Sequence, residues 1–258
     1  MEYKKHILDF SVVQNVPIGM NYALLKLRPL DGEVPPCQPG QFAQVLVPNS
    51  KNTFLRRPIS ICNIDPSDNL LWLLVRRAGE GTAALCDSPE GSILNVMLPL
   101  GHGFTLQPGS LLVGGGVGVA PLYMLGKKLK EQGLQPQFLL GARTKDDLLM
   151  LDHFQDLGTV HITTDDGSAG VHGVVTKHPV LTGGNMAHIA CCGPMPMMRA
   201  VAALAHQQGI DCEVSLENLM ACGMGACLCC VEDTVDAGNV CACTEGPVFN
   251  INRLKWQI

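Results

Sequence analysis

The chain has 258 residues, enough to bury roughly 70–75% of its unfolded surface and to form two domains with a small appendage, so no metal is needed to hold up the whole fold. A net charge of -5 and a pI near 5.9 leave no basic footprint, and neither nucleic acid nor an anionic membrane is expected as a partner. Only 16% of residues are charged, against about 25% in average proteins, and mean hydropathy is +0.19; either another subunit covers part of the outside or the chain is a compact, glycine-rich enzyme.

At the start, Met1-Glu-Tyr-Lys-Lys-His-Ile-Leu-Asp-Phe10 carries two lysines, but Asp9 interrupts the apolar run and the stretch does not match a signal peptide. From residue 6 to about 100, short apolar runs at 7–16, 21–30, 41–47, 58–62, 70–76 and 92–98 are broken by turn residues. Strands at that spacing, bounded by Pro and Gly, predict a small antiparallel barrel. One insertion differs: 80–86 reads as a short helix with Thr82 near its start, where a hydroxyl caps and free N–H groups face an anion.

From residue 109 the pattern changes to strand and helix in alternation. Strands are expected from 111 and over 137–140, 160–163, 188–192 and 212–216, with helices over 122–132, 146–157 and 195–208. This predicts a parallel sheet covered on both faces, with ligands at the carboxyl ends of its strands. The most apolar segment, 111–126, carries five glycines and is too short to span a membrane.

Several motifs carry chemistry. Gly114, Gly115, Gly116 and Gly118, followed by Ala120 and Pro121, let a pyrophosphate approach a helix start without Cβ clash; tight strand-to-helix packing is the competing explanation. In the barrel half, Arg57-Pro58-Ile59-Ser60 offers a guanidinium for a diphosphate and a hydroxyl for a polar ring edge. Leu74-Val75-Arg76 and Gly81-Thr82 add a second arginine and a second anion-ready helix start. Cys192-Gly193-Pro194 ends a strand, where a soft, uncharged thiol beside glycine lets a nicotinamide ring stack on a flavin; Cys191 before it reads as a buried hydrophobe. Asp165-Asp166-Gly167-Ser168 is a turn signature facing ribose or solvent, and Arg143 and Lys145 lie where a 2′-phosphate or solvent would meet them.

The stretch from Glu217 to Cys230 sets Cys222, Cys227 and Cys230 in a C-x4-C-x2-C array, the plant-type spacing for a 2Fe-2S cluster. Gly223 and Gly225 can take positive φ in such a loop. Structural zinc more often shows two C-x2-C pairs and remains the alternative. Cys229 and Cys241 blur the count of thiols; the x2 spacing selects Cys230. With no export signal, twelve cysteines point to a reducing compartment, and a cytoplasmic protein is expected.

Taken together, these motifs resemble the electron-transfer subunit of B-type dihydroorotate dehydrogenases, within the ferredoxin reductase superfamily. The resemblance runs through Arg57-Pro-Ile-Ser60, Gly81-Thr82, residues 114–121, Asp165-Asp-Gly-Ser168, Cys192-Gly-Pro194, and Met220-Ala-Cys-Gly-Met-Gly-Ala-Cys227 on to Glu245-Gly-Pro-Val-Phe249, the last being the most specific. It selects Cys243, which precedes Thr-Glu-Gly-Pro, as fourth ligand and leaves Cys241 as an extra. It implies an FAD-binding antiparallel barrel over 1–105, an NAD-binding parallel-sheet domain over 106–211 and a small 2Fe-2S domain over 212–258. It further implies an FMN-containing catalytic subunit as partner, two copies of each chain, with electrons passing from FMN through the cluster to FAD and leaving as hydride to NAD+ in pyrimidine synthesis. The dihydroorotate site would lie on the partner, and no catalytic acid, base or nucleophile is expected here. The alternatives are a diaphorase subunit of another complex, of ferredoxin:NAD(P) reductase or hydrogenase type, and a zinc-stabilised module without redox activity.

Overall fold

A computed structural model describes residues 4–48, 52–183 and 186–256. The first part is a closed six-stranded barrel of β1 (His6–Ile18), β2 (Tyr22–Pro29), β3 (Phe42–Val45), β4 (Arg57–Asp65), β5 (Leu70–Arg76) and β6 (Ile93–Leu100), in the order β1-β2-β5-β4-β3-β6. All its pairings are antiparallel, as the alternation and turn residues predict. Inward-facing Phe10, Leu25, Leu27, Ile61, Leu71, Leu73 and Leu94 fill it. The helix α1 (Glu80–Cys86) closes over one end on the bounds expected from sequence.

The second part is a seven-stranded sheet. Its parallel strands are β7 (Ser110–Gly115), β8 (Gln137–Ala142), β9 (Thr159–Thr164), β10 (Val171–His172), β11 (His188–Cys192) and β12 (Asp211–Ser215). They lie in the order β10-β9-β8-β7-β11-β12. Helices α2 (Val119–Glu131) and α3 (Leu151–Leu157) cover one face together with the barrel. The short α4 (Pro179–Thr182) and α5 (Met195–Gln208) cover the other. The strand order reverses between β7 and β11, so the crevice at their carboxyl ends is where this architecture places a ligand.

Two expectations are corrected. The helix expected over 146–157 begins only at Leu151: Met150 sits at φ +55°, and Leu149 and Met150 are buried at 3% and 7% exposure against the α2–α3 layer. Lys145–Asp147 form only a 3-10 turn, and the burial of Leu149 and Met150 in the turn that follows outweighs helical propensity. The C-terminal segment, expected as a small appendage, is tied into the sheet instead. β12 belongs to the sheet, and after the hairpin β13 (Val231–Thr234) and β14 (Gly238–Cys241) and the short α6 (Ala242–Glu245), β15 (Val248–Asn250) pairs antiparallel with β12. Phe249 and Ile251 are buried in the same core as α5 and Val248 in that of α2, which anchors the segment.

That core also contains Phe42, Met97 and Leu100 from the outer face of the barrel, with Cys230 and Cys243. The cysteine-rich loop is thus wedged between barrel and sheet. Among the described residues no helix is long and apolar enough to cross a membrane.

Candidate functional site

Four regions meet around the cleft between barrel and sheet. On the barrel side, the Arg57 guanidinium lies against the α-carbon of Gly81: a Cβ built there would stand 2.5 Å from Arg57 Nε. Gly81 is buried in the first turn of α1, and Thr82 reaches back to accept from the N–H groups of Ala78 (2.9 Å) and Gly79 (3.1 Å). This joins the two anion-ready features of the barrel into one positively biased corner, fit for a diphosphate. Pro58 and Ser60 are half-buried on the outer face of β4, opposite Gln44 and Phe42. Ile59, Leu74 and Val75 point into cores, so only their backbones are free to face a cofactor.

Arg76, at the exposed end of β5, pairs across the sheet with Tyr22 and lies close enough to Glu217 to act on it. Burial pushes the Glu217 carboxyl up and Arg76 opposes that shift. The Glu217 side chain is exposed to water, so the shift reflects crowding by neighbouring protein and not full enclosure. It also sits near Cys192, whose thiol is pushed up first by burial and then by Glu217. Cys192 therefore stays neutral at the end of β11. Cys191 is equally buried, on the opposite face of the sheet.

The glycine turn divides into two kinds of position. A Cβ on Gly115 would meet Met197 Sδ at 2.6 Å, one on Gly118 the carbonyl of Cys192 at 2.5 Å, and one on Gly114 the Val119 side chain at 2.9 Å. Gly115 and Gly118 let the turns after β7 and β11 touch, as does Gly193, whose Cβ would meet Gly115 N at 3.1 Å, whereas Gly114 lets β7 pack against α2. Gly116 differs: its φ is +54° and only Tyr22 Oη lies as near as 4.0 Å. It presents open backbone to the barrel, while Ala120 and Pro121 are buried in α2. Pro194 is exposed at the start of α5.

Between barrel and sheet lie the six thiols of the C-terminal segment, Cys222, Cys227, Cys229, Cys230, Cys241 and Cys243. Gly223 and Gly225 take φ +68° and +80°. The loop they shape aims N–H groups at sulfur: Met224 N donates to Cys222 Sγ (3.3 Å), Gly225 N to Cys243 Sγ (3.1 Å) and Cys243 N to Cys230 Sγ (3.4 Å). The Met224 bond leads in holding the Cys222 thiol down to about 6, whereas burial pushes Cys243 up to about 12. Leu228, at φ +57°, turns the chain so that Cys229 is exposed and Cys230 is buried at 2%. Cys241 lies beside Cys230, with its Sγ 3.8 Å from the carbonyl of Gly225. A loop that offers N–H groups to several thiolates suits an anionic iron–sulfur core.

Comparison with known proteins decides the family. Residues 217–255 match the iron–sulfur cluster binding domain of dihydroorotate dehydrogenase B, and residues 112–203 match the oxidoreductase NAD-binding domain. The dihydroorotate dehydrogenase B (NAD(+)) electron transfer subunit of Fusobacterium nucleatum is 37% identical over 256 residues, covering 94% of this chain and 96% of that protein. The chain belongs to the dihydroorotate dehydrogenase B electron transfer subunits. The same subunit from Shouchella clausii is 40% identical over 226 residues, covering 84% of this chain and 86% of its own. Among solved structures, a chain of the NADH-dependent reduced ferredoxin–NADP oxidoreductase, studied for flavin-based electron bifurcation, superposes with a TM-score of 0.84 at 30% identity over 96% of this chain and 90% of its own. The FAD/NAD-binding domain of a Vibrio cholerae nitric oxide dioxygenase shares the fold alone, with a TM-score of 0.72 at 18% identity over 80% of this chain and 98% of its own. As a family member the chain is an oxidoreductase subunit with a ferredoxin reductase-like fold, and its family models cover cluster and NAD binding.

Sequence reasoning passed over three residues of this region. Glu217 opens the cysteine-rich stretch without a spacing that marks it. Tyr22 and Gln44 sit on strands whose pattern records only burial. The Asp165-Asp166-Gly167-Ser168 turn is accounted for locally, since Asp166 accepts from the backbone N–H (2.9 Å) and hydroxyl (2.6 Å) of Ser168. A cavity lined by Gly109, Ser110, Leu111, Gln137, Val180 and Met186 lies at the opposite, amino-terminal ends of β7 and β8 and is not part of the site.

Proposed function

We propose that this chain carries electrons from an FMN-containing dihydroorotate dehydrogenase catalytic subunit to NAD+ in pyrimidine synthesis, in an assembly with two copies of each chain. The observation that carries the reading is the thiol loop, with backbone N–H groups aimed at Cys222, Cys230 and Cys243, wedged against the strands that hold the diphosphate corner. When bound, FAD exchanges single electrons with a 2Fe-2S cluster and a hydride with NAD+.

The residues of this chain divide that work. Cys222, Cys227, Cys230 and Cys243 would hold the cluster. Arg57 and the first turn of α1 at Gly81 and Thr82 would hold the FAD diphosphate, with Pro58 and Ser60 along the flavin. Gly116 would admit the NAD pyrophosphate, and Cys192 would stay neutral beside the nicotinamide. Arg76 and Glu217 would orient groups at the cleft wall. On this reading the barrel (1–105) is the FAD domain, 106–211 the NAD domain and 212–258 the cluster domain, and the dihydroorotate site is on the partner. Twelve free thiols support a reducing, cytoplasmic setting.

The test is reconstitution. The purified chain should reduce artificial acceptors with NADH yet leave dihydroorotate untouched, and gain dihydroorotate-dependent NAD+ reduction only with the FMN subunit added. Dihydroorotate turnover by the isolated chain, or two subunits that neither co-elute nor couple, would sink the proposal.

A further inference from the structure

Gln44 is the least accounted-for polar side chain near the thiol loop. It is fully buried, at 0% exposure, and neither its Nε2 nor its Oε1 has a hydrogen-bond partner. A carboxamide brings two donor hydrogens and an acceptor oxygen, and burying it unpaired is costly enough that natural proteins rarely do so without a use. A hydrophobic residue of similar shape would fill the same space at no such cost.

Its surroundings say what the use is. The Gln44 side chain lies along the backbone of Gly223, where a Cβ would stand 3.0 Å from Gln44 Cγ and 3.2 Å from Nε2. Gly223 directly follows Cys222 and holds φ +68°, so the glycine leaves room for this side chain against the loop. Two residues away on the same face of β3, Phe42 packs in the core that contains Cys230 and Cys243. Across the sheet, Gln44 pairs with Pro58 and Phe42 with Ser60. The carboxamide therefore stands between the strand assigned to the flavin and the loop assigned to the cluster. Backbone N–H groups of Met224 and Gly225 in the loop and of Cys243 in α6 reach three of the thiols, and Gln44 is a donor reaching the loop from the barrel.

We propose that Gln44 is a positioning residue that donates a hydrogen bond from its side-chain amide to a sulfur of the bound 2Fe-2S cluster on its Cys222 side, and so raises the cluster's reduction potential. A donor aimed at sulfur stabilises the reduced cluster, which carries one more negative charge, over the oxidised one. The inference rests on the ligand set proposed above.

The experiment is a redox titration of the complete, cofactor-loaded chain followed by electron paramagnetic resonance. Gln44→Met, which keeps the shape and loses the donor, should lower the cluster midpoint by about 59 mV, a tenfold change in the one-electron equilibrium, with parental iron and flavin contents. Phe42→Leu, which alters packing on the same face without touching a donor, should leave the midpoint at the parental value. In the parent, glutamine labelled with 15N in its side-chain amide should give a hyperfine coupling to the reduced cluster, and this readout needs no variant to fold. A parental midpoint in Gln44→Met, an equal shift in Phe42→Leu, or no 15N coupling overturns the inference. A parent without a 2Fe-2S signal instead overturns the cluster reading on which it stands.

Discussion

Cys229 and Cys230 are neighbours in the chain and opposites in environment, because Leu228 takes a left-handed conformation that an L-residue adopts only under constraint. The turn delivers Cys230 to Cys243 and leaves Cys229 in solvent. Serine at Cys222, Cys227, Cys230 or Cys243 is therefore expected to remove iron and sulfide, and serine at Cys229 or Cys241 to leave both. Analysis of the six purified variants checks this, and retained iron in Cys243→Ser with loss in Cys241→Ser would falsify the choice of fourth ligand. Gly116 is the comparable position for NAD. A valine there must hold φ +54°, at about 1–2 kcal/mol of strain, and puts a branched side chain on the open face of the turn. Gly116→Val should slow reduction by NADH with flavin and iron contents unchanged; parental stopped-flow kinetics would mean that the turn serves packing alone.

Among the elements, α1 matters beyond its length because β4 brings Arg57 onto it. The guanidinium and the helix start form one corner only when both are present, and Gly81 is what lets them approach. Arg57→Ala is expected to weaken FAD binding by about 1.5–3 kcal/mol, roughly ten- to a hundredfold, through loss of a charge-assisted contact. The cluster, held by a different element, should survive. Fluorescence titration of the apoprotein with FAD measures the effect, and unchanged affinity would remove Arg57 from the site.

At the scale of the whole molecule, the link between barrel and sheet is pinned by one carboxylate. Glu213 on β12 accepts from both the backbone N–H and the hydroxyl of Thr105 (2.9 Å each), and His188 Nε2 lies 3.4 Å away; His188 Nδ1 in turn meets Ser110 Oγ at 2.9 Å. Burial alone would raise the Glu213 carboxyl, but the neighbouring His188 ring and the Thr105 bonds outweigh it and hold the group below the usual glutamate range. A depressed carboxylate contributes stability that is present above its unfolded value, about 4.3, and is lost as pH falls through the lower folded value. Glu213→Ala should cost about 1–3 kcal/mol at neutral pH, read as a lower urea midpoint. The deficit should shrink below about pH 4. A constant deficit across the acid range would show that packing, and not the charge, is what Glu213 supplies.

The sequence by itself determined the order of the parts: six strands, a short helix at 80–86, a glycine turn, alternating strand and helix, and a cysteine-rich close. Such features are local. Apolar periodicity, turn residues and thiol spacing act within a few residues of one another, so they survive without the fold. Only the tertiary structure decided the rest, because it concerns groups distant in sequence. It separated Gly116, which faces the barrel, from Gly115 and Gly118, which pack turn against turn, and from Gly114, which packs strand against helix. It shortened the helix expected over 146–157 by burying Leu149 and Met150 elsewhere, and it drew β15 back into the sheet beside β12. Glu217 and Gln44 left no local signature: the first acquires its setting from Arg76 on β5 and Cys192 on β11, and the second from Gly223, 179 residues further along the chain. A pattern along the chain reports whether a residue is buried; which residue it is buried against depends on pairings that the chain makes only when folded.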